Sequence, residues 1–229
     1  MSNNSMVVAR SDGSGAEIGR AQWVQAVAAK AIPEVAMNPV LLKPGSDLRS
    51  HVVVNGQPAG VLGANEFAVS RVDLQAAAYA AFDDLRGRFD VVVAEGAGSP
   101  AEINLRAGDF VNMGLAQHGQ VPVVVVGDID RGGVYAAFHG TLALLDAADQ
   151  SLVAGFVINK FRGDQSLLTP ANDQLSRLTG RPIFGVLPFE PNLWLDSEDA
   201  LDPGVRGSTA VNPLRVAVVR LPRISNFTD

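Results

Sequence analysis

Asp90-Val91-Val92-Val93-Ala94-Glu95-Gly96-Ala97-Gly98-Ser99-Pro100 decides how the fold of this 229-residue chain is read. A short, unbroken apolar run of this kind suits a strand covered on both faces, as in a parallel sheet. It ends in a carboxylate and then a turn of small residues. In open α/β sheets, ligands bind beyond the carboxyl ends of the strands. Glu95 therefore stands where a hard cation finds an oxygen ligand, and Gly96 and Gly98 let the backbone approach a phosphate closely. Taken alone, the segment reads equally well as an ordinary strand–turn–helix with a solvated glutamate.

Similar runs recur at residues 121–126, 153–158, 183–187 and 216–219, with a shorter one at 39–42. Helical patterns fall between them. Ser70 and Asp73 resemble a capping box, followed by Leu74, Ala78, Phe82 and Leu85 at helical spacing. Residues 109–118, 133–145 and 171–178 read as further helices, the last stopped by Gly180 and Pro182. The alternation predicts an α/β fold, a parallel sheet flanked by helices on both faces through right-handed βαβ units. Asn55-Gly56 after His51-Val52-Val53-Val54 signals a hairpin, and Pro58 places it at a sheet edge. Residues 201–213 read as a linker.

Composition narrows the function classes. Hydrophobic residues make up 47%, enough for a sizeable core, and the net charge of −6 gives no basic face for nucleic acid. There is no cysteine, which removes disulfides, thiolate metal sites and cysteine nucleophiles. No apolar run approaches the ~20 residues of a membrane span, and residues 1–8 do not form a signal peptide. A cytoplasmic protein with no membrane or nucleic-acid partner is the expectation. The three histidines, His51, His118 and His139, make no metal-binding pair.

Four more segments are candidates for chemistry. Gly127-Asp128-Ile129-Asp130-Arg131-Gly132-Gly133 repeats the acid-and-glycine turn after another apolar run. It could order a metal and a phosphate or carboxylate, or simply cap the next helix through Asp130. Asn159, in Phe156-Val157-Ile158-Asn159-Lys160-Phe161-Arg162-Gly163-Asp164, can donate to and accept from a purine edge. Gly185-Val186-Leu187-Pro188 could close the other side of such a pocket. Gly13-Ser14-Gly15-Ala16-Glu17-Ile18-Gly19 lacks the Lys-Ser/Thr of a phosphate loop. It reads as a turn into a helix over 18–31, with Glu17 presenting a carboxylate from the helix start.

Ser99-Pro100-Ala101-Glu102-Ile103-Asn104-Leu105-Arg106, directly after Glu95-Gly96-Ala97-Gly98, resembles the cobyric acid synthase family. So do Glu17-Ile18-Gly19-Arg20-Ala21-Gln22, Met37-Asn38-Pro39-Val40-Leu41-Leu42-Lys43-Pro44, residues 127–133 and 156–164, and Pro222-Arg223-Ile224-Ser225-Asn226-Phe227-Thr228-Asp229. The resemblance covers nearly the whole chain. It implies a domain similar to dethiobiotin synthetase, a P-loop-type α/β fold that binds ATP and Mg²⁺. Carboxylates b, d, e and g of adenosylcobyrinic acid a,c-diamide would be activated as acyl phosphates. Ammonia, released from glutamine by an amidotransferase domain absent here, would then convert them to amides. Phosphorylation supplies the leaving group that a carboxylate lacks. The resemblance implies Mg²⁺ ligands at Glu95 and Glu17 and catalytic roles for Asp109, Asp130 and Arg131. It implies nucleotide contacts from Gly96, Gly98, Asn159, Lys160 and Pro188, and substrate contacts from Lys43, Asn104 and Arg106.

The chain departs from the family pattern in places. Met1-Ser2-Asn3-Asn4-Ser5 starts after the point where family members carry a strand, a P-loop and a helix. Arg106-Ala107-Gly108-Asp109 stands where they carry an acid-rich Arg-Asp-Arg-Asp version. The expectation is therefore a synthetase domain over 1–200 without its first strand and P-loop. A linker at 201–213 and the start of an amidotransferase domain at 214–229 would follow, the whole being an inactive fragment. Homo-oligomers are compatible with this reading. The competing readings are a non-catalytic remnant that binds corrinoid or protein, or a related ligase such as cobyrinic acid a,c-diamide synthase. Residues 99–106 argue against the related ligase.

Overall fold

A computed structural model describes residues 5–44, 50–62 and 70–191. They fall into two units, divided between Asp90 and Val91. The expected strand at 216–219, the linker at 201–213 and the segment 222–229 lie outside the described residues.

The first unit is antiparallel. Strands β1 (Ser5–Ala9) and β2 (Gly15–Gly19) form a hairpin. Its turn is held by Asp12, whose Oδ1 accepts from the Ser14 amide and hydroxyl at 2.9 and 2.6 Å. Residues 13–19 are thus a turn and a strand, not a turn into a helix. Helix α1 begins later than expected and spans Arg20–Ala28. The reason is burial: Ala16 and Ile18 alternate inward on β2 and pack with Val8, Trp23 and Val35. A helix beginning at residue 18 would break that alternation. Strands β3 (Val40–Pro44), β4 (Ser50–Val54) and β5 (Gln57–Leu62) form an antiparallel meander in that order. Asn55 and Gly56 both take left-handed backbone, φ 48° and 75°, as the β4–β5 turn requires. Pro58 lies on edge strand β5, as expected. Helix α2 (Arg71–Arg88) starts where Ser70 accepts from the Asp73 amide, and it buries Leu74, Ala81, Phe82 and Leu85.

The second unit is the parallel one. Helix α3 (Met113–Gly119) leads to β6 (Val123–Asp128), followed by α4 (Val134–Leu144) and α5 (Ala147–Leu152). Strand β7 (Val153–Phe161), helix α6 (Thr169–Thr179) and strand β8 (Ile183–Pro188) complete it. The sheet order is β6-β7-β8, all parallel. Its core holds Phe138, Phe156, Ile158, Met113, Val153 and Leu175, with the Phe138 and Phe156 rings stacked at 4.7 Å. Each such side chain contributes about 1.5–3 kcal/mol when fully buried.

Three expectations change here. Helices on both faces are not found among the described residues. The register puts Val125 beside Phe156 on the covered face, so Val124 and Val126 point the other way. There Val124, Val126 and Phe184 are 44%, 58% and 56% exposed. The apolar run at 91–94 forms no strand, and Val91 and Val93 are 78% and 91% exposed. Strand β6 pairs only with β7 among the described residues, and residues 91–94 form no ladder with its other edge. The helix expected from residue 109 starts at Met113. The Asp109 carboxylate takes the amides of Val111, Asn112 and Gly114, and the chain ahead of α3 turns around it.

Candidate functional site

The carboxyl ends of β6, β7 and β8 carry a cluster of charged and polar groups. Asp128 ends β6 and accepts from the Asp130 amide at 3.0 Å and from Lys160 Nζ at 2.8 Å. Hydrogen bonding to Lys160 holds the Asp128 carboxyl below the usual aspartate range, against a smaller desolvation effect. Asn159 and Lys160 sit at the end of β7. The Lys160 amide donates to Asn159 Oδ1 at 2.9 Å, and Lys160 takes a left-handed φ of 62°. That backbone costs a lysine on the order of 1 kcal/mol and is retained while its side chain reaches Asp128. Arg162 Nε donates to Asp130 Oδ1 at 3.1 Å, and its guanidinium lies 3.4 Å from the Phe189 ring centroid. The Phe189 amide donates to Phe161 O, tying the segment after Pro188 to the end of β7. Gly132 and Gly133, φ 76° and 71°, make the turn that carries the exposed Arg131 into α4. The structure thus gathers Asp128, Asp130, Asn159, Lys160 and Pro188 on one rim, as parallel register demands.

The acid-and-glycine loop at 95–112 is the second part. Glu95 is exposed. Gly96 packs so tightly that a Cβ would stand 2.0 Å from Asn112 Oδ1. Asn112 Nδ2 donates to Ala97 O at 2.9 Å, and Gly98 takes φ 71°. A cavity of ≈ 230 Å³ lies between the turn at Gly98, Ser99 and Pro100, strand β6 at Val125 and Gly127, and Phe138 and Thr141 of α4. Gly127 is required there, because a Cβ would meet Phe138 and Val134 at 2.6 Å. Asn104 is exposed on the loop. Arg106, expected to hold a substrate carboxylate, holds one of the chain's own: its Nε and Nη2 reach Asp149 at 2.5 and 2.7 Å. Asp109, expected to be catalytic, has both carboxylate oxygens on backbone amides.

In the first unit, Glu17 stands on β2 rather than at a helix start, and Lys43 of β3 pairs with it at 2.5 Å. Burial opposes the charge on Glu17, but hydrogen bonds from Lys43 and Ser5 outweigh it and hold the carboxyl below its usual range.

The donor set can be tested against Mg²⁺. Among the described residues no group of three or more His, Cys, Asp or Glu could hold a metal alone. Mg²⁺ beside a nucleotide takes one or two carboxylates and completes its shell with phosphate oxygens and water. A single exposed glutamate on a glycine-rich loop fits that role.

The sequence reading passed over Asp149, Asn112 and the pairing of Arg162. Asp146-Ala147-Ala148-Asp149 has the spacing of a helix cap, and Asp146 does accept from the Asp149 amide. That pattern was legible, but the burial of Asp149 was not.

Parallel strands whose carboxyl ends carry acid-and-glycine turns define a nucleotide-binding α/β domain. The chain belongs to the CobQ/CobB/MinD/ParA nucleotide binding domain family, CbiA, which matches residues 1–201. The P-loop-type α/β class expected from the sequence therefore holds. Curated proteins named cobyric acid synthase are similar along the whole chain. The one from Mycolicibacterium vanbaalenii is 67% identical over 229 residues, covering 46% of its own length. The one from Mycolicibacterium gilvum is 65% identical, covering 47%, and that from Mycobacterium tuberculosis strain H37Rv is 66% identical, covering 46%. The expected resemblance is thus found, and the chain spans about half the length of these relatives. No solved structure matches it. No helix among the described residues is long and apolar enough to cross a membrane.

Proposed function

We propose that the chain is the nucleotide- and corrinoid-binding part of a cobyric acid synthase. In this reading ATP activates carboxylates b, d, e and g of adenosylcobyrinic acid a,c-diamide as acyl phosphates. Glutamine-derived ammonia attacks each carbonyl carbon, and phosphate leaves. The observation that carries the proposal is the 67% identity over all 229 residues to a protein of that name.

The residues take roles that follow from their chemistry. Glu95 would hold Mg²⁺, which when bound offsets negative charge on the transferring phosphoryl. Gly96 and Gly98 leave room for phosphate against the backbone. Asn159, Lys160 and Pro188 would face the base, with the Asn159 side chain reading its edge. Asp130 and Arg131, at the rim of β6, would orient the reacting carboxylate and phosphate. Asn104 and Lys43 would contact the corrinoid periphery, and Glu17, held ionised by Lys43, would supply a further carboxylate.

The test is amidation by the full-length gene product given ATP, Mg²⁺, glutamine and the corrinoid diamide, followed by mass spectrometry. Stepwise amidated corrinoids are expected. Glu95→Gln should reduce turnover about a hundredfold or more, the scale of losing one charge-stabilising group. Absence of amidated corrinoid sinks the assignment, and full activity of Glu95→Gln sinks the role of Glu95.

A further inference from the structure

Arg106 and Asp149 form a buried tie whose placement goes beyond local stability. Asp149, in the first turn of α5, is 1% exposed. Its carboxylate accepts from Arg106 Nε and Nη2 and from Gln117 Nε2 of α3 at 3.1 Å. A carboxylate so deeply buried stays ionised only when charged and polar donors satisfy it, as these do. The Arg106 and Gln117 donors hold the carboxyl below the usual aspartate range against desolvation.

The two parallel hydrogen bonds fix the plane of the guanidinium, and so the course of the backbone at residue 106. A continuous set of contacts then runs back to the acid-and-glycine turn. The Asp109 amide donates to Arg106 O, and the Asp109 carboxylate gathers the amides of Val111, Asn112 and Gly114. Asn112 holds Ala97 O and fills the space over Gly96. Gly96 follows Glu95.

We propose that Arg106 and Asp149 are positioning residues. They hold the 95–112 loop so that Glu95 and Gly96 present a preformed turn to a Mg²⁺–nucleotide. The proposal rests on the reading of Glu95 given above. Neither residue needs to touch nucleotide or corrinoid, and their action passes through Asn112.

The experiment uses the full-length gene product. Binding of Mg²⁺ with a non-hydrolysable ATP analogue is measured by calorimetry, beside amide hydrogen exchange and thermal melting. Arg106→Lys keeps the charge but loses the fork, so the protein should stay folded. Its affinity for the Mg²⁺–analogue should fall about tenfold or more, the usual effect of removing a residue that orients a metal ligand. Amides at 96–98 and 111–114 should exchange faster. Asp149→Glu should retain more affinity than Asp149→Asn. Unchanged affinity in folded Arg106→Lys, with only the melting temperature lowered, overturns the proposal and leaves the pair purely structural. If the unsubstituted protein binds no Mg²⁺–analogue, the reading of Glu95 fails. Exchange at 96–98 then decides on the tie by itself, and unchanged exchange in Arg106→Lys overturns it.

Discussion

Val91, Val92 and Val93 lie in irregular chain with two of the three well exposed, whereas Val123, Val124, Val125 and Val126 form β6 beside β7. The two runs are almost interchangeable in composition. Strand β6 has a hydrogen-bonded neighbour and α4 across one face, with Phe138 against Gly127. Residues 91–94 are hydrogen-bonded to no strand among the described residues. Hydrophobicity thus marks a candidate strand, and a backbone ladder actually formed with a neighbour makes it one. The loops that follow differ as well. The loop after residue 94 is tied down by a buried ion pair. The turn after β6 is held by the more exposed pairs Lys160–Asp128 and Arg162–Asp130.

The largest effect should fall on the packed run. Phe138→Ala removes the ring that covers β6 and stacks on Phe156, and it should cost about 3–5 kcal/mol in denaturant unfolding. Val93→Ser, at an exposed position, should stay within about 0.5 kcal/mol. Comparable costs at both sites would break the contrast.

Next comes the buried pair. The folded-state value of Asp149 lies below the ordinary 3.8, so its ionisation stabilises the fold above that pH. The contribution is lost as pH falls from 3.8 through the folded value. Asp149→Asn should be less stable by about 2 kcal/mol at neutral pH, and the gap should close below about pH 3.8. A gap independent of pH would mean that packing, not charge, carries the tie. The smallest effect belongs to the exposed pair: Arg162→Ala should cost less than about 1 kcal/mol, and added salt should shrink that further. A larger, salt-insensitive loss would assign the weight to the Phe189 stack instead.

What the sequence made legible was local. Ser70 with Asp73, Asn55-Gly56, and Gly180 before Pro182 each fixed a boundary through neighbouring residues, and the structure keeps all three. The parallel strands at β6, β7 and β8 were likewise readable from continuous apolar runs. What was not legible depended on distant partners. Ile18 reads as helical until Val8 and Val35 are seen to enclose it. The pairing of Arg106 with Asp149, 43 residues away, has no counterpart in the spacing of the sequence. The candidate site follows the same division. The rim residues at Asp128, Asn159 and Pro188 come from strand ends, whereas Asn112 and Asp149 act through contacts that no spacing announces.

Asn112 and Gly96 have a consequence for how the chain can change over generations. Any side chain at 96 would displace the Asn112 amide and break its hold on Ala97. A substitution at 96 should therefore cost less where residue 112 is already shortened, so that changes at the two positions are non-additive.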